Sequence, residues 1–297
     1  MWFLFAIVSV LAWGTADLFY KKGSDPKDKY SYLKIVIMVG AVMGIHAMYV
    51  LLTSDVVYEP RNMITYLPVS ALYILSMAVG YAGLRFLELS ISSPVQNSSG
   101  AISGLLTFIF LGQSMTGIQF FAVGLITVGV ILLSVFEQRF AEAERKENKE
   151  MVDRKYKYGA IALLFPLGYA LIDSLGTFAD AWVFDRGMDE MQANISYELT
   201  WLIVAVLAWV YLVWIKKETF ALRDQKDRGL AAIFETLGQF FYVFAISANA
   251  VIVAPLISSY SMVSVILSRI FLKEKLTAKQ YAVIAMIMVG IFILGFE

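Results

Sequence analysis

Apolar runs near 20 residues recur along the chain, at about 2–20, 33–53, 64–86, 93–111, 117–136, 158–180, 190–215, 229–248, 251–271 and 278–296. Each is long enough to cross a hydrocarbon core of roughly 30 Å as a helix. The connections are short except for one. Residues 137–157 (EQRFAEAERKENKEMVDRKYK) form a polar stretch with no core-forming content. The pattern predicts an all-α polytopic membrane protein with ten transmembrane helices. Its units are a five-helix repeat over 1–136, a charged and partly helical cytoplasmic linker over 137–157, and a second five-helix repeat over 158–297. The first run lacks a basic leading region, and Asp17 and Lys21 follow it where a cleaved signal would have small residues. It therefore reads as a span.

The repeat shows when the chain is slid on itself by 161 residues, which lays 90–134 on 251–295 without a gap and gives 14 identities in 45 pairs. Pro94 meets Pro255, Ser98 meets Ser259, Ser103 meets Ser264, and Gly129 meets Gly290. Thr116-x-x-Gln119 and Thr277-x-x-Gln280 share the spacing of a capping box, so each is expected to start a helix straight after a tight turn. An odd number of spans per half inverts the second half. Basic residues test the orientation, because cytoplasmic loops are enriched in Lys and Arg. With both termini outside, 22 of the 24 Lys and Arg fall in inside loops, and Arg61 and Arg186 alone fall outside. The turn Gly112-Gln113-Ser114 is bare while its mate Lys273-Glu274-Lys275 is basic, as opposite faces require. Inverted repeats are a recurring plan of secondary transporters, with the substrate site near the midplane.

Composition narrows the chemistry. Hydrophobic residues make up 59% of the chain and charged residues 16%, against roughly 25% charged in a soluble domain. Cysteine is absent and His46 is the sole histidine, which excludes disulfides, thiolate metal sites and multi-histidine zinc sites. No metalloprotease helix signature and no phosphate-binding loop occurs, so neither an enzyme nor direct use of ATP is expected. A formal net charge of zero argues against a nucleic-acid partner. No cofactor is expected. The partners expected are a small-molecule substrate, protons as a coupling ion, and the lipid of a prokaryotic plasma membrane, with the chain a monomer or weak homodimer.

Trp13-Gly14 in the first span, the paired turns, and the string from Pro255 to Thr277 (PLISSYSMVSVILSRIFLKEKLT) carry a resemblance to drug/metabolite transporters of the EamA type. The resemblance covers essentially the whole chain. It implies a ten-span, two-repeat transporter whose cavity lies among the first four spans of each half, with spans 5 and 10 outside it. Substrates in that superfamily include amino acids, nucleotide sugars, sugar phosphates, choline-like cations and drugs. The chain departs from the usual pattern at Gly112-Gln113-Ser114 and at Ser261, where many relatives have a second proline.

Charged residues inside apolar spans are costly and usually face a cavity or a partner. Here they are mostly acids: Asp17, Glu88, Asp173, Asp180, Glu198 and Glu235, against Arg85. Asp17 precedes Lys21 by one turn, which suits an ion pair as well as a substrate role. Glu88 suits a local pair with Arg85. Asp180 is expected near the outer end of its span, in water. Asp173, Glu198 and Glu235 have no basic residue at i±3 or i±4 and are the leading charge sites; the bland alternative is a protonated carboxyl bonded to a neighbouring helix. Burial disfavours the charged form of a carboxyl, a property a proton-coupled site can use. Tyr169 shares a face with Asp173, and Trp13 with Asp17. Glu235, Gln239 and Tyr242 follow i, i+4, i+7, and Trp201 follows Glu198 by three. Carboxylates beside aromatic faces suit organic ammonium ions. Ser92–Gly100, with Asn97, is too polar for a lipid-facing turn and is expected to line the cavity. Pro94 and Pro255 read as helix starts, Gly100-x-x-x-Gly104 as a close helix crossing, and His46 as a hydrogen-bonded packing residue. The reading is a secondary transporter of an amine-bearing or cationic solute working by alternating access. Its alternatives are an exporter of neutral or zwitterionic amino acids with structural acids, and a membrane receptor or scaffold without transport.

Overall fold

A computed structural model describes residues 1–147, 162–274 and 277–296. Among them there is no strand. The helices are α1 (Trp2–Gly23), α2 (Ser31–Thr53), α3 (Arg61–Gly83), α4 (Leu89–Gln96), α5 (Ser99–Leu111), α6 (Gly117–Glu147), α7 (Leu164–Asp185), α8 (Glu190–Val210), α9 (Lys226–Ile246), α10 (Ala250–Ser258), α11 (Tyr260–Leu267) and α12 (Ala278–Phe296). A π-turn, Tyr211–Ile215, extends α8, and another, Ser268–Leu272, extends α11. Among the described residues, six helical rods are long and apolar enough to cross a membrane: Trp2–Gly23, Ser31–Thr53, Arg61–Gly83, Glu190–Ile215, Leu222–Ile246 and Ala250–Leu272. Gly117–Leu133 and Ala278–Leu294 are shorter apolar stretches. The chain is an all-helical polytopic membrane protein.

The stretch expected as a partly helical linker, 137–157, is helical as far as Glu147, as a continuation of α6; the remaining 148–157, and the first residues of the run at 158, lie outside the described residues. One local expectation needs correction. Pro94 and Pro255 do not start helices. Each sits well inside one, in α4 and α10, and each helix breaks a few residues later, at Asn97–Ser98 and at Ser259. The buried serines hid the true start. Ser90, Ser92 and Ser93 look like a loop in sequence but are buried in the bundle.

The capping boxes form as spaced. The Thr116 backbone N–H donates to Gln119 Oε1 at 2.9 Å, and the Gln119 N–H returns to Thr116 Oγ1 at 3.2 Å. Thr277 and Gln280 make the same reciprocal pair. Gly112 ends α5 in the left-handed region at φ +67°, and Lys273, its mate 161 residues on, is also left-handed at φ +59°. A long side chain is uncommon there.

Among the described residues, the most extensive helix pairings are α1 along α9, α2 along α8, α3 along α7, α6 along α12, α2 along α9 and α5 along α10. Small residues permit the close approaches. A Cβ on Gly40 of α2 would lie 2.2 Å from the Trp201 carbonyl oxygen of α8, and one on Gly100 of α5 would lie 2.6 Å from the Ala254 oxygen of α10. Gly129 of α6 fits against Ile287 of α12, and Gly290 fits reciprocally against Ile126. Ile126 and Ile287 are themselves 161 residues apart. Outward faces carry bare apolar side chains such as Ile45, Phe108, Phe120 and Ile270, which suits lipid rather than water.

Candidate binding cavity

The elements α1, α3, α7 and α9 bring their polar stripes together around a narrow cavity with about 70 Å³ of space open to water-sized groups. That is room for a few waters, since each needs roughly 10–15 Å³ on this measure. Trp13, Asp17 and Tyr20 line it from α1, Tyr73, Met77 and Tyr81 from α3, and Tyr169, Asp173 and Thr177 from α7. Glu235, Gln239 and Tyr242 come from α9, Tyr197 from α8, and Gln96, Asn97 and Ser99 from the broken α4–α5 rod. Ser258 and Tyr260 enter at the matching break between α10 and α11. None of the lining residues belongs to α2, α6 or α12.

Each acid is held differently. Asp17 Oδ2 accepts from Ser93 Oγ at 2.5 Å and from Ser264 Oγ at 2.7 Å. Asp173 Oδ2 accepts from Ser99 Oγ at 2.7 Å, and its Oδ1 from Ser76 Oγ at the long distance of 3.5 Å. Glu235 Oε2 accepts from the Tyr20 hydroxyl at 3.2 Å, while Trp13 Nε1 donates to the Glu235 backbone carbonyl at 3.3 Å. All three carboxylates thus accept from neutral hydroxyls, and no Lys, Arg or His is among the lining residues. Lys21, nearby on α1, donates its ammonium to the carbonyls of Leu84, at 2.7 Å, and Leu87. The aromatic walls meet at Trp13, whose ring centre lies 5.1 Å from that of Tyr242 and 5.8 Å from that of Tyr260.

Eight of the ten residues singled out in the sequence come together here: Trp13, Asp17, Asn97, Tyr169, Asp173, Glu235, Gln239 and Tyr242. Glu198 and Trp201 do not line the cavity. Glu198 is fully buried between α8 and α2, where it meets His46 Nδ1 at 2.8 Å and accepts from Asn194 Nδ2 at 3.0 Å. Its basic partner comes from another helix, which a search along its own helix does not reach. Trp201 is fully buried at the same crossing.

Asp180 was expected in water and is instead fully buried. Helix α7 runs on to Asp185, which draws Asp180 inward. Its carboxylate accepts from the Tyr66 hydroxyl at 2.6 Å and from the Tyr73 hydroxyl at 3.5 Å. Tyr73 also meets the Tyr242 hydroxyl at 2.6 Å. Tyr73 and Thr177 line the central cavity, and residues flanking Tyr66 and Asp180 in sequence, Thr65, Val69, Phe178 and Trp182, line a wider cleft of about 1130 Å³. Sequence reasoning missed this cluster, together with Tyr20, Tyr197 and Tyr260. A signal was present on α3, where Tyr66, Tyr73 and Tyr81 recur at intervals of seven and eight and so share one face.

Comparison with known proteins adds two findings. The family model of the EamA-like transporter family matches residues 1–135 and 177–296. A solved crystal structure, described only as that of a protein, superimposes on 99% of this chain and 96% of its own, with a TM-score of 0.64 at 14% identity. It shows the fold alone. No curated protein matches the chain.

Proposed function

Because the chain belongs to the EamA-like transporter family, we propose that this membrane transporter carries a small amine-bearing or cationic solute by alternating access, with protons as the coupling ion. The observation that carries the reading is the cavity itself. Asp17, Asp173 and Glu235 face one space beside Trp13, Tyr169 and Tyr242, and its lining has no cationic side chain. An anionic substrate would meet three like charges there. An ammonium ion gains Coulomb attraction and cation–π contact at once.

The architecture proposed is ten spans in two inverted five-helix repeats, with both termini outside. The helix pairing supports it. Exchanging the two halves turns the pair α1 with α9 into the pair α7 with α3, and leaves the pairs α2 with α8 and α6 with α12 unchanged. The reciprocal contacts of Gly129 and Gly290, the twin capping boxes, and the left-handed positions at 112 and 273 repeat at the same 161-residue interval. The distribution of Lys and Arg supports the orientation. The small size of the cavity fits an occluded state, with the Tyr66–Asp180–Tyr73 cluster closing the path to the wider cleft.

Counterflow in proteoliposomes tests the substrate class against panels of amines, amino acids and sugars. Amines are expected to exchange, and Asp173→Asn and Glu235→Gln are each expected to lower that exchange about tenfold or more, the worth of one hydrogen bond to a charged group. Amine exchange and its pH dependence left unchanged by both variants would refute the reading. So would exchange confined to neutral or anionic solutes.

A further inference from the structure

Two of the cavity acids are held from a single rod. Ser93 binds Asp17 and Ser99 binds Asp173, and both serines belong to the α4–α5 rod. The residues at its break, Asn97 and Ser98, keep right-handed helical backbone. Six residues of helix place the two serines about 9 Å apart along the rod and about 120° apart around it, at 1.5 Å and 100° per residue. The two carboxylates they bind therefore stand about 10 Å or more apart in the cavity wall, with Asp173 at one end. At the other, Glu235 joins Asp17 through Tyr20, which lies one turn beyond Asp17 on α1 and donates to Glu235.

A single ammonium leaves two of the three carboxylates without a counter-charge, whereas two ammoniums leave one, which a proton shared between Asp17 and Glu235 neutralises, and a lone charge in an apolar bundle is costly. The wall thus offers charge at two ends, in a space too narrow for a bulky cation.

The geometry points to a short linear diamine as the substrate, with one ammonium at Asp173 and the other at Asp17 and Glu235. This inference rests on the amine reading above and adds the second charge. Charge-assisted hydrogen bonds of about 2.8 Å at each end leave the two nitrogens roughly 4–8 Å apart across a separation of about 10–14 Å. With bonds of about 1.5 Å, an extended chain of three to five methylenes covers that distance.

The test uses the full chain in proteoliposomes and a series of unbranched α,ω-diamines from two to eight methylenes, each paired with the monoamine of equal length. Diamines of three to five methylenes are expected to exchange about tenfold or more faster than their monoamines, the worth of one further charged hydrogen bond, with the advantage fading in shorter and longer chains. In Asp173→Asn the ratio of diamine to monoamine exchange is expected to fall towards one. The wild-type series stands by itself if that variant does not fold. Equal exchange of diamines and monoamines at every length overturns the inference and leaves the amine reading intact. Preferred exchange of a lysine-like amino acid over the diamine of the same length also overturns it, because a carboxylate would then be welcome. Exchange of neutral solutes with no amine exchanged overturns both.

Discussion

Replacing Gly40 by alanine tests a close approach of one helix to the backbone of another, between the two halves. The new Cβ would stand 2.2 Å from the Trp201 carbonyl oxygen and 2.6 Å from the Ala205 Cβ. Ordinary contact begins near 3.4 Å, so α2 and α8 would have to part by about 1.2 Å. The atom in the way is backbone, and no rotamer change relieves it. Overpacking of this kind costs typically about 1–3 kcal/mol. Alanine also favours helix over glycine by about 1 kcal/mol, which offsets part of the loss. Gly124→Ala is the matched control, because its Cβ would meet nothing within 4 Å and only the helix gain remains. The assay is thermal unfolding of the purified protein in detergent, followed by circular dichroism. Gly40→Ala is expected to melt several degrees below wild type, at roughly 2–4 °C per kcal/mol, and Gly124→Ala at or slightly above it. If Gly40→Ala melts with Gly124→Ala, α2 does not lie on α8 as described.

Two further substitutions probe groups beside the cavity. Tyr66→Phe removes the 2.6 Å hydrogen bond to buried Asp180 without changing side-chain shape much, and is expected to cost about 1–3 kcal/mol of stability; an unchanged melting midpoint would show that the hydroxyl does not reach the carboxylate. His46→Ala strips fully buried Glu198 of its basic partner at 2.8 Å and leaves it only Asn194; the loss is expected to cost about 3 kcal/mol or more, yet to leave the ranking of substrates in counterflow as in wild type. A changed ranking would bring Glu198 back into the transport path.

What the sequence discloses and what it withholds divide by the range of the interaction. Apolar runs, capping boxes and the left-handed turn at Gly112 depend on residues within a few positions of one another. Thr116 and Gln119 therefore form the box that their spacing announces. The misplaced start of α4 has a local cause as well. Ser90, Ser92 and Ser93 suit a loop in water, and only the surrounding helices make them suitable for a buried rod. Asp180 and Glu198 fail for a different reason. The partner that decides each one's role stands more than a hundred residues away, at Tyr66 and at His46, and which helix faces which is a matter of rotation and tilt that periodicity on one helix does not contain. Asp17 and Asp173 stand out as charges inside apolar spans, and a helix-spaced aromatic shares the face of each, Trp13 for one and Tyr169 for the other. Glu198 carried the same mark in Trp201, but that face turns towards α2. An aromatic at helical spacing thus identifies a face that is buried, and only the packing of the bundle tells whether that face meets the cavity or another helix.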